Sequence, residues 1–165
     1  MKYILLILLF FSSSTFAQNR KFQKVVKACI DLNSDSFNSN DYISDTLVPF
    51  LKYHYFDLND LKIAANNYKH EFKKELYTNK GYKFLSKQIS DTSNSIINNK
   101  ELNSITTSYK RYFRFIKPIF FPHKKKVIIS YWKVNCPRCS WGKSLLLEKK
   151  KGKWDVMYEL GSWIE

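Results

Sequence analysis

The C-terminal residues 143–164 read KSLLLEKKKGKWDVMYELGSWI. Two apolar runs, Lys143–Lys149 and Lys153–Ile164, flank a Lys-Lys-Gly turn at 150–152. A connection this short requires the two strands to lie antiparallel. In the second run apolar and polar residues alternate, so we expect one buried face. That face would carry Trp154, Val156, Tyr158 and Leu160.

Two further runs precede this hairpin, Tyr112–Phe121 and Lys126–Asn135. Lys126–Asn135 is dense in the β-branched and aromatic residues that favour strands. Residues 122–125 separate the two runs, and residues 136–142 lead into the hairpin. Short connections again require antiparallel neighbours, so residues 109–165 are predicted to form a four-stranded antiparallel meander.

The N-terminal part has helical periodicity instead. Apolar residues between 20 and 32 fall at i, i+3, i+4, i+7 and i+8, which is one face of a helix and includes Cys29. Residues 57–77 predict the longest helix, and residues 82–89 add one or two helical turns. Residues 42–56 fit either a short helix or an edge strand. The predicted fold class is α+β, with the N-terminal helices packed on one face of the C-terminal four-stranded meander.

The first seventeen residues have the three parts of an export signal. Lys2 supplies a positive start, Ile4–Phe11 is an unbroken apolar run, and Ala17 is a small-residue cleavage position. The apolar run is much shorter than the roughly 20 residues that a spanning helix needs. We therefore expect a signal peptide at 1–17, cleavage after Ala17, and no transmembrane span after cleavage. The remainder, 18–165, would be one periplasmic or secreted domain, mainly helical over 18–108 and a meander over 109–165.

The charge of the chain is strongly positive. Lys and Arg number 28 against 14 Asp and Glu, a formal charge of +14 that becomes +13 once Lys2 is removed. Such a surplus favours anionic partners, although a lysine-rich composition driven by genomic bias gives the same number. The aromatic and cationic residues of 109–115 resemble a nucleic-acid platform, but export makes nucleic acid an unexpected partner.

In a meander the first and third turns lie at the same end of the sheet. This places a cluster of cations together and predicts an anion-binding patch. Its members are His123, Lys124, Lys125, Lys126, Lys149, Lys150, Lys151 and Lys153. The alternative is that lysines at hairpin tips only keep the strands soluble and prevent edge pairing.

Cys136 and Cys139 flank Pro137 and Arg138 in the connection before the third strand. A β-turn would bring their Cα atoms within about 7 Å, the range that a disulfide requires. A thioredoxin-like redox site is the alternative, but the helix such a site needs after the first cysteine is missing. Zinc would need further ligands, with Cys29 and His123 as the candidates.

No residues are expected to be catalytic and no metal or cofactor is expected. The three histidines have no nucleophile beside them, and Asp155 and Glu159 are placed on the solvent face of the last strand as surface carboxylates.

The last third of the chain resembles a loosely defined group of uncharacterised exported proteins of Gram-negative bacteria. The shared pieces are Lys-Pro-Ile-Phe at 117–120, the cysteine turn at 136–139, Gly-Lys-Trp at 152–154 and the terminal Trp-Ile at 163–164. Members carry more glycine around the cysteines than Pro137 and Arg138 allow. The resemblance implies export and a C-terminal β architecture, and it carries no activity.

These observations favour an exported, non-enzymatic binding module for an anionic envelope component or a partner protein, one version of which is an immunity-type inhibitor. Two alternatives stay open. One is a small periplasmic enzyme with a site at the helix–sheet interface, and the other is a thiol-redox protein using Cys136 and Cys139.

Overall fold

The computed structural model describes residues 18–37, 41–44, 46–49, 79–91, 93, 95–96, 104–105, 112–123, 125–134 and 140–164. Residues 18–32 form helix α1 and Asn79–Ile89 form helix α2. No helix of the described ranges is long and apolar enough to cross a membrane. The expected signal peptide, the helix predicted at 57–77, Lys124, Cys136 and Cys139 lie outside the described residues. The strands are β1 Ile43–Ser44, β2 Thr46–Leu47, β3 Ser95–Ile96, β4 Ser104–Ile105, β5 Tyr112–Phe115, β6 Ile119–Phe120, β7 Lys126–Val134, β8 Ser140–Lys150 and β9 Lys153–Ile164.

The main sheet has the strand order β4-β1-β5-β7-β8-β9, and β6 also pairs with β7. Strands β5 to β9 pair antiparallel, whereas β1 pairs in parallel with β4 and β5. The predicted α+β class with a mostly antiparallel sheet is confirmed. The sheet is nevertheless larger than the predicted four-stranded meander, since β1 and β4 come from the part expected to be mainly helical. Strands β2 and β3 form a separate antiparallel pair.

The first predicted strand of the meander is divided into β5 and β6. Pro118 interrupts the run, because proline has no N–H to donate to a sheet ladder. The N–H of Lys117 turns to the carbonyl of Val48 instead, at 2.8 Å. Strand β6 then resumes pairing with β7. On the other side of β6, the side-chain amide of Gln88 accepts from the N–H of Phe120 and donates to its carbonyl, at 2.9 and 2.8 Å.

Helix α1 contributes its apolar stripe to one of two buried clusters. Phe22, Val25, Val26 and Cys29 share this cluster with Val127, Ile129 and Tyr131 of β7 and with residues of β5 and β8. These three β7 residues are two apart and point to the same side of the sheet. We call this side the α1 face.

Helix α2 contributes to the second cluster. Leu85 and Ile89 share it with Ile128 and Trp132 of β7 and with Leu146 of β8. Ile128 and Trp132 point to the side opposite Ile129, which we call the α2 face. The sheet therefore lies between the two described helices, and the expectation that the helices pack on one face of the meander is not confirmed.

Strand β9 does not keep a single alternation. Its register against β8 shifts twice, between Ser144 and Leu145 and between Leu146 and Leu147, which leaves Met157 and Leu160 as extra residues. A β-bulge of this kind reverses the side to which the following residues point. Trp154 and Val156 consequently pack with the α1-face cluster, while Tyr158 and Leu160 pack with the α2-face cluster. The predicted single buried face of this strand is wrong for that reason.

Candidate anion-binding surface

Two turns of the chain lie side by side at one end of the sheet. The N–H of Lys149 donates to the carbonyl of Lys125 at 2.6 Å. Next to this bond, Lys126 of β7 is opposite Glu148 of β8, and Lys150 of β8 is opposite Lys153 of β9. The structure thus brings together six of the seven lysines of the predicted patch, and Lys124 is outside the described residues. We call this group the lysine end; it comprises Lys125, Lys126, Lys149, Lys150, Lys151 and Lys153.

The turn between β8 and β9 follows from its sequence. Lys151 and Gly152 have positive φ values of 47° and 86°, as a two-residue type I′ hairpin turn requires. Gly152 takes this conformation at no steric cost. The turn leaves Lys151 exposed at the tip, and Lys149, Lys150, Lys153 and Lys125 are also exposed.

Part of the lysine end is balanced by carboxylates. Strand alternation and the register place Glu148 and Asp155 on the α2 face, together with Lys126, Lys150 and Lys153. Lys150 Nζ lies 2.9 Å from a carboxylate oxygen of Glu148. Two negative charges therefore offset most of the positive charge on this face.

Among the described residues, no carboxylate balances the rest of the lysine end. Lys125 lies opposite Lys149 in the register that Lys126 and Glu148 set, and like charges directly opposite each other are destabilising. Lys149 Nζ is 5.9 Å from the ring centre of Trp154. Among the described residues, no ion pair involves Lys125, Lys149 or Lys151. These three described lysines without an ion pair lie at the tip and on the α1 face.

His123 is the remaining member of the predicted patch. It is exposed, in the turn that leads from β6 towards Lys125. It belongs to the same connection between β6 and β7 as Lys125. An anion bound to Lys125 would therefore lie near His123.

Cys136 and Cys139 fall in the five-residue connection between β7 and β8, where Val134 is opposite Ser140. Both cysteines lie outside the described residues, so their disulfide stays a prediction. Cys29 is a free cysteine, fully buried in the α1-face cluster. Burial raises the pKa of the Cys29 thiol well above its usual value, which keeps it protonated and unreactive. No group of three or more metal-ligating side chains occurs among the described residues.

We expect the folded chain to show no reactive thiol if the predicted disulfide has formed. Cys29 is inaccessible and protonated, and the other two cysteines would be bonded to each other. Titration with a thiol reagent should therefore give no labelling when native and one thiol per chain in denaturant. Three thiols in denaturant would show that Cys136 and Cys139 are reduced, and one native thiol lost in a Cys29→Ala variant would contradict the burial of Cys29.

Tyr131 is a second buried titratable group on the α1 face. Burial, the largest cause, raises the pKa of its hydroxyl to about 12. The hydroxyl is therefore neutral at physiological pH. Neither Tyr131 nor Cys29 is accessible to a substrate, and both belong to the core.

A cavity of about 130 Å³ lies where the start of α1, the end of α2 and β6 meet. The alternative of an enzyme with a site at the helix–sheet interface would use a cavity in this position. Its lining residues are Gln18, Lys21, Phe22, Gln88, Asp91, Lys117, Pro118 and Phe120. No histidine, cysteine, serine or tyrosine is among them, so this lining holds no imidazole, thiol or hydroxyl group, and its titratable side chains are Lys21, Lys117 and Asp91.

The one carboxylate of the cavity is committed to a lysine. Asp91 accepts from Lys117 Nζ at 2.6 Å, and Lys117 is buried and also donates to the carbonyl and hydroxyl of Ser93. Partial burial alone would raise the pKa of Asp91, but the hydrogen bonds from Lys117 and Ser93 and the lysine charge lower it to about 2. Such an ionised carboxylate cannot act as a general acid near neutral pH.

Asp155 and Glu159, the two carboxylates of β9, are separated by a bulge. Asp155 is opposite Glu148 on the α2 face, whereas Glu159 is opposite Leu145 on the α1 face. Glu159 instead pairs with Lys143 at 3.1 Å. The placement of both on one solvent face is wrong, because the inserted Met157 reverses the alternation between them.

The pairing of Lys117 with Asp91 could not be predicted from the sequence. They are 26 residues apart, and Lys117 reads as one more surface lysine in a lysine-rich chain. The single local signal is Pro118, which ends the ladder beside Lys117.

Comparisons of the chain with protein-family models, with curated proteins and with solved structures find no match.

Proposed function

We propose that the protein is an exported, non-enzymatic binding module that holds an anionic envelope component or partner protein through the lysine end. The observation that carries the proposal is the convergence of six lysines at one end of the sheet, against the two carboxylates Glu148 and Asp155. A cation cluster of this density attracts anionic partners and speeds their encounter. Four of the six lysines lie on paired strands, which hold their backbone positions in a defined register.

The alternative for such lysines is to protect strand edges from pairing. Strand β8 lies inside the sheet between β7 and β9, so Lys149 and Lys150 have no open edge to protect. Their charge is therefore better explained by a partner than by edge protection.

Charge reversal tests this proposal. The Lys149→Glu, Lys150→Glu, Lys151→Glu variant should retain at least about tenfold less material from envelope extract than the unmodified chain, because it changes the local charge by six units. The measurement is affinity capture with tagged residues 18–165, which hold every described residue, washed at low and at high salt.

The matched control carries the same change of charge on the helices. Lys24, Lys83 and Lys87 are exposed residues of α1 and α2, and their reversal to Glu should leave capture near the unmodified level. Equal capture by the unmodified chain and the Lys149–Lys151 variant would reject the lysine end as the binding surface.

A further inference from the structure

The structure indicates what kind of anionic partner the lysine end fits. We propose that it docks on the surface of a lipid bilayer with phosphate-bearing anionic headgroups, held by charge and without insertion. This inference rests on the proposed function and names the partner for the same surface.

The shape of the lysine end favours an extended partner. Its lysines come from two neighbouring turns and from three adjacent strands, which are spaced about 4.8 Å apart. The charges are therefore spread over the tips of the sheet. The cavity between α1, α2 and β6 has Lys21 and Lys117 in its lining, but no residue of the lysine end. Protruding, laterally spread charges suit a flat anionic surface better than a small enclosed ligand.

The chemistry of the side chains favours a fluid layer of lipid headgroups as the partner. All six cations are lysines, which bind phosphate as point charges, whereas arginine gives the fixed bidentate geometry suited to a defined partner. The large exposed apolar side chains of the described residues are Leu32, Phe84 and Ile164, and none of them belongs to the lysine end. Ile164 pairs with Trp141 at the opposite end of β8. The lysine end thus offers charge without an apolar anchor, so binding should be reversed by salt.

The distribution of carboxylates sets the orientation. Glu148 and Asp155 lie on the α2 face, while Lys125, Lys149 and Lys151 lie on the α1 face and at the tip. A bilayer would repel the carboxylates and attract this uncompensated trio. The domain should therefore meet the surface with its tip and its α1 face, and the mutual repulsion of Lys125 and Lys149 would be relieved by a headgroup phosphate between them.

Cosedimentation with vesicles tests the inference. Residues 18–165 should bind vesicles of phosphatidylcholine containing phosphatidylglycerol at about 0.1 M salt, which is close to the physiological ionic strength. They should not bind phosphatidylcholine alone, and high salt should release them. Each lysine near an anionic bilayer strengthens binding about fivefold. The Lys125→Glu, Lys149→Glu, Lys151→Glu variant should therefore bind roughly a hundredfold more weakly, and the reversal of Lys24, Lys83 and Lys87 should weaken binding only a few-fold.

Three results would overturn the inference. One is equal binding to the two vesicle types, and another is an equal loss in both triple variants, which would mean that net charge alone acts. The third is binding to inorganic polyphosphate but not to vesicles, which would assign the surface to soluble phosphate. If vesicle binding fails while capture from envelope extract still depends on the lysine end, the proposed function stands with an acidic protein as the partner. Failure of both experiments would reject the two proposals together.

Discussion

Replacing Phe113 by alanine is expected to lower the free energy of unfolding by about 3–5 kcal/mol. Phe113 is fully buried on β5, between β1 and β7. Its ring centre lies 4.2 Å from that of Phe37, 6.0 Å from Tyr131 and 6.1 Å from Trp141. Truncation removes these contacts and leaves a cavity at the junction of the sheet with the segment after α1. Because small domains are stable by only about 5–15 kcal/mol, the loss would be a large part of the total.

Thermal and urea unfolding of residues 18–165 would measure this effect. The melting temperature should fall by on the order of 10 °C, given about 2–4 °C for each kcal/mol in a domain near this size. The matched control is Phe84→Ala, since Phe84 is a phenylalanine of α2 with 39% of its surface exposed. It should change stability by less than about 1 kcal/mol. Equal losses in the two variants would mean that Phe113 is not in the core.

The three longest strands could be predicted from the sequence because their signals are local. The apolar run of β8, the alternation predicted for β9 and the lysine–glycine turn between them are all local signals, and the observed β9 has the predicted bounds. The bulges could not be predicted in this way. Met157 and Leu160 are apolar and fit either face, so the sequence pattern is satisfied with or without the register shifts. The same shifts separate Asp155 from Glu159.

The positions of the helices depend on longer-range information. The stripes of α1 and α2 are both amphipathic, and nothing in either stripe selects a face of the sheet. Short strands such as β1 and β4 have two residues each, too few for a periodic signal. Their parallel pairing with each other depends on contacts between residues about 60 positions apart, Ile43 and Ser104.

The position of the lysine end could be predicted from the sequence. The division of its lysines between the two faces of the sheet could not. The two turns that carry it are short and local, so their meeting at one end follows from a meander alone. Which lysines share a face with Glu148 and Asp155 depends on the register between β7, β8 and β9. That register depends on core packing, so the sequence alone does not predict it.

The second large effect concerns the ion pair of the cavity. Replacement of Asp91 by alanine is expected to lower the free energy of unfolding by about 2 kcal/mol. Lys117 is 8% exposed, and a buried ammonium that loses its carboxylate costs about 3–5 kcal/mol. The expected figure is smaller because the Asp91 side chain is 37% exposed, so water screens the pair in part. Adding Lys117→Met to the Asp91→Ala variant should restore most of the loss, because the buried charge is then gone.

A surface pair provides the comparison. Glu159 pairs with Lys143 at 3.1 Å, with side-chain exposures of 43% and 31%. Its replacement by alanine should cost less than about 1 kcal/mol. A cost as large as that of Asp91→Ala would show that burial of Lys117 does not set the size of the effect.

The pH dependence of the stability lost in Asp91→Ala distinguishes loss of the ion pair from loss of packing. The pKa of Asp91 is lowered from 3.8 to about 2 in the folded chain, so the folded state favours the ionised carboxylate. A lowered folded pKa gives stability that is fully present above the unfolded value and is lost as pH falls towards the folded value. In urea unfolding, the unmodified chain should therefore exceed Asp91→Ala by a constant margin from pH 7 down to about pH 5. The margin should then narrow between about pH 4 and pH 2, because the carboxyl becomes protonated in the unfolded chain first and in the folded chain last. A margin that stays unchanged through this range would mean that Asp91 stabilises the fold by packing, and that its charge on Lys117 contributes nothing.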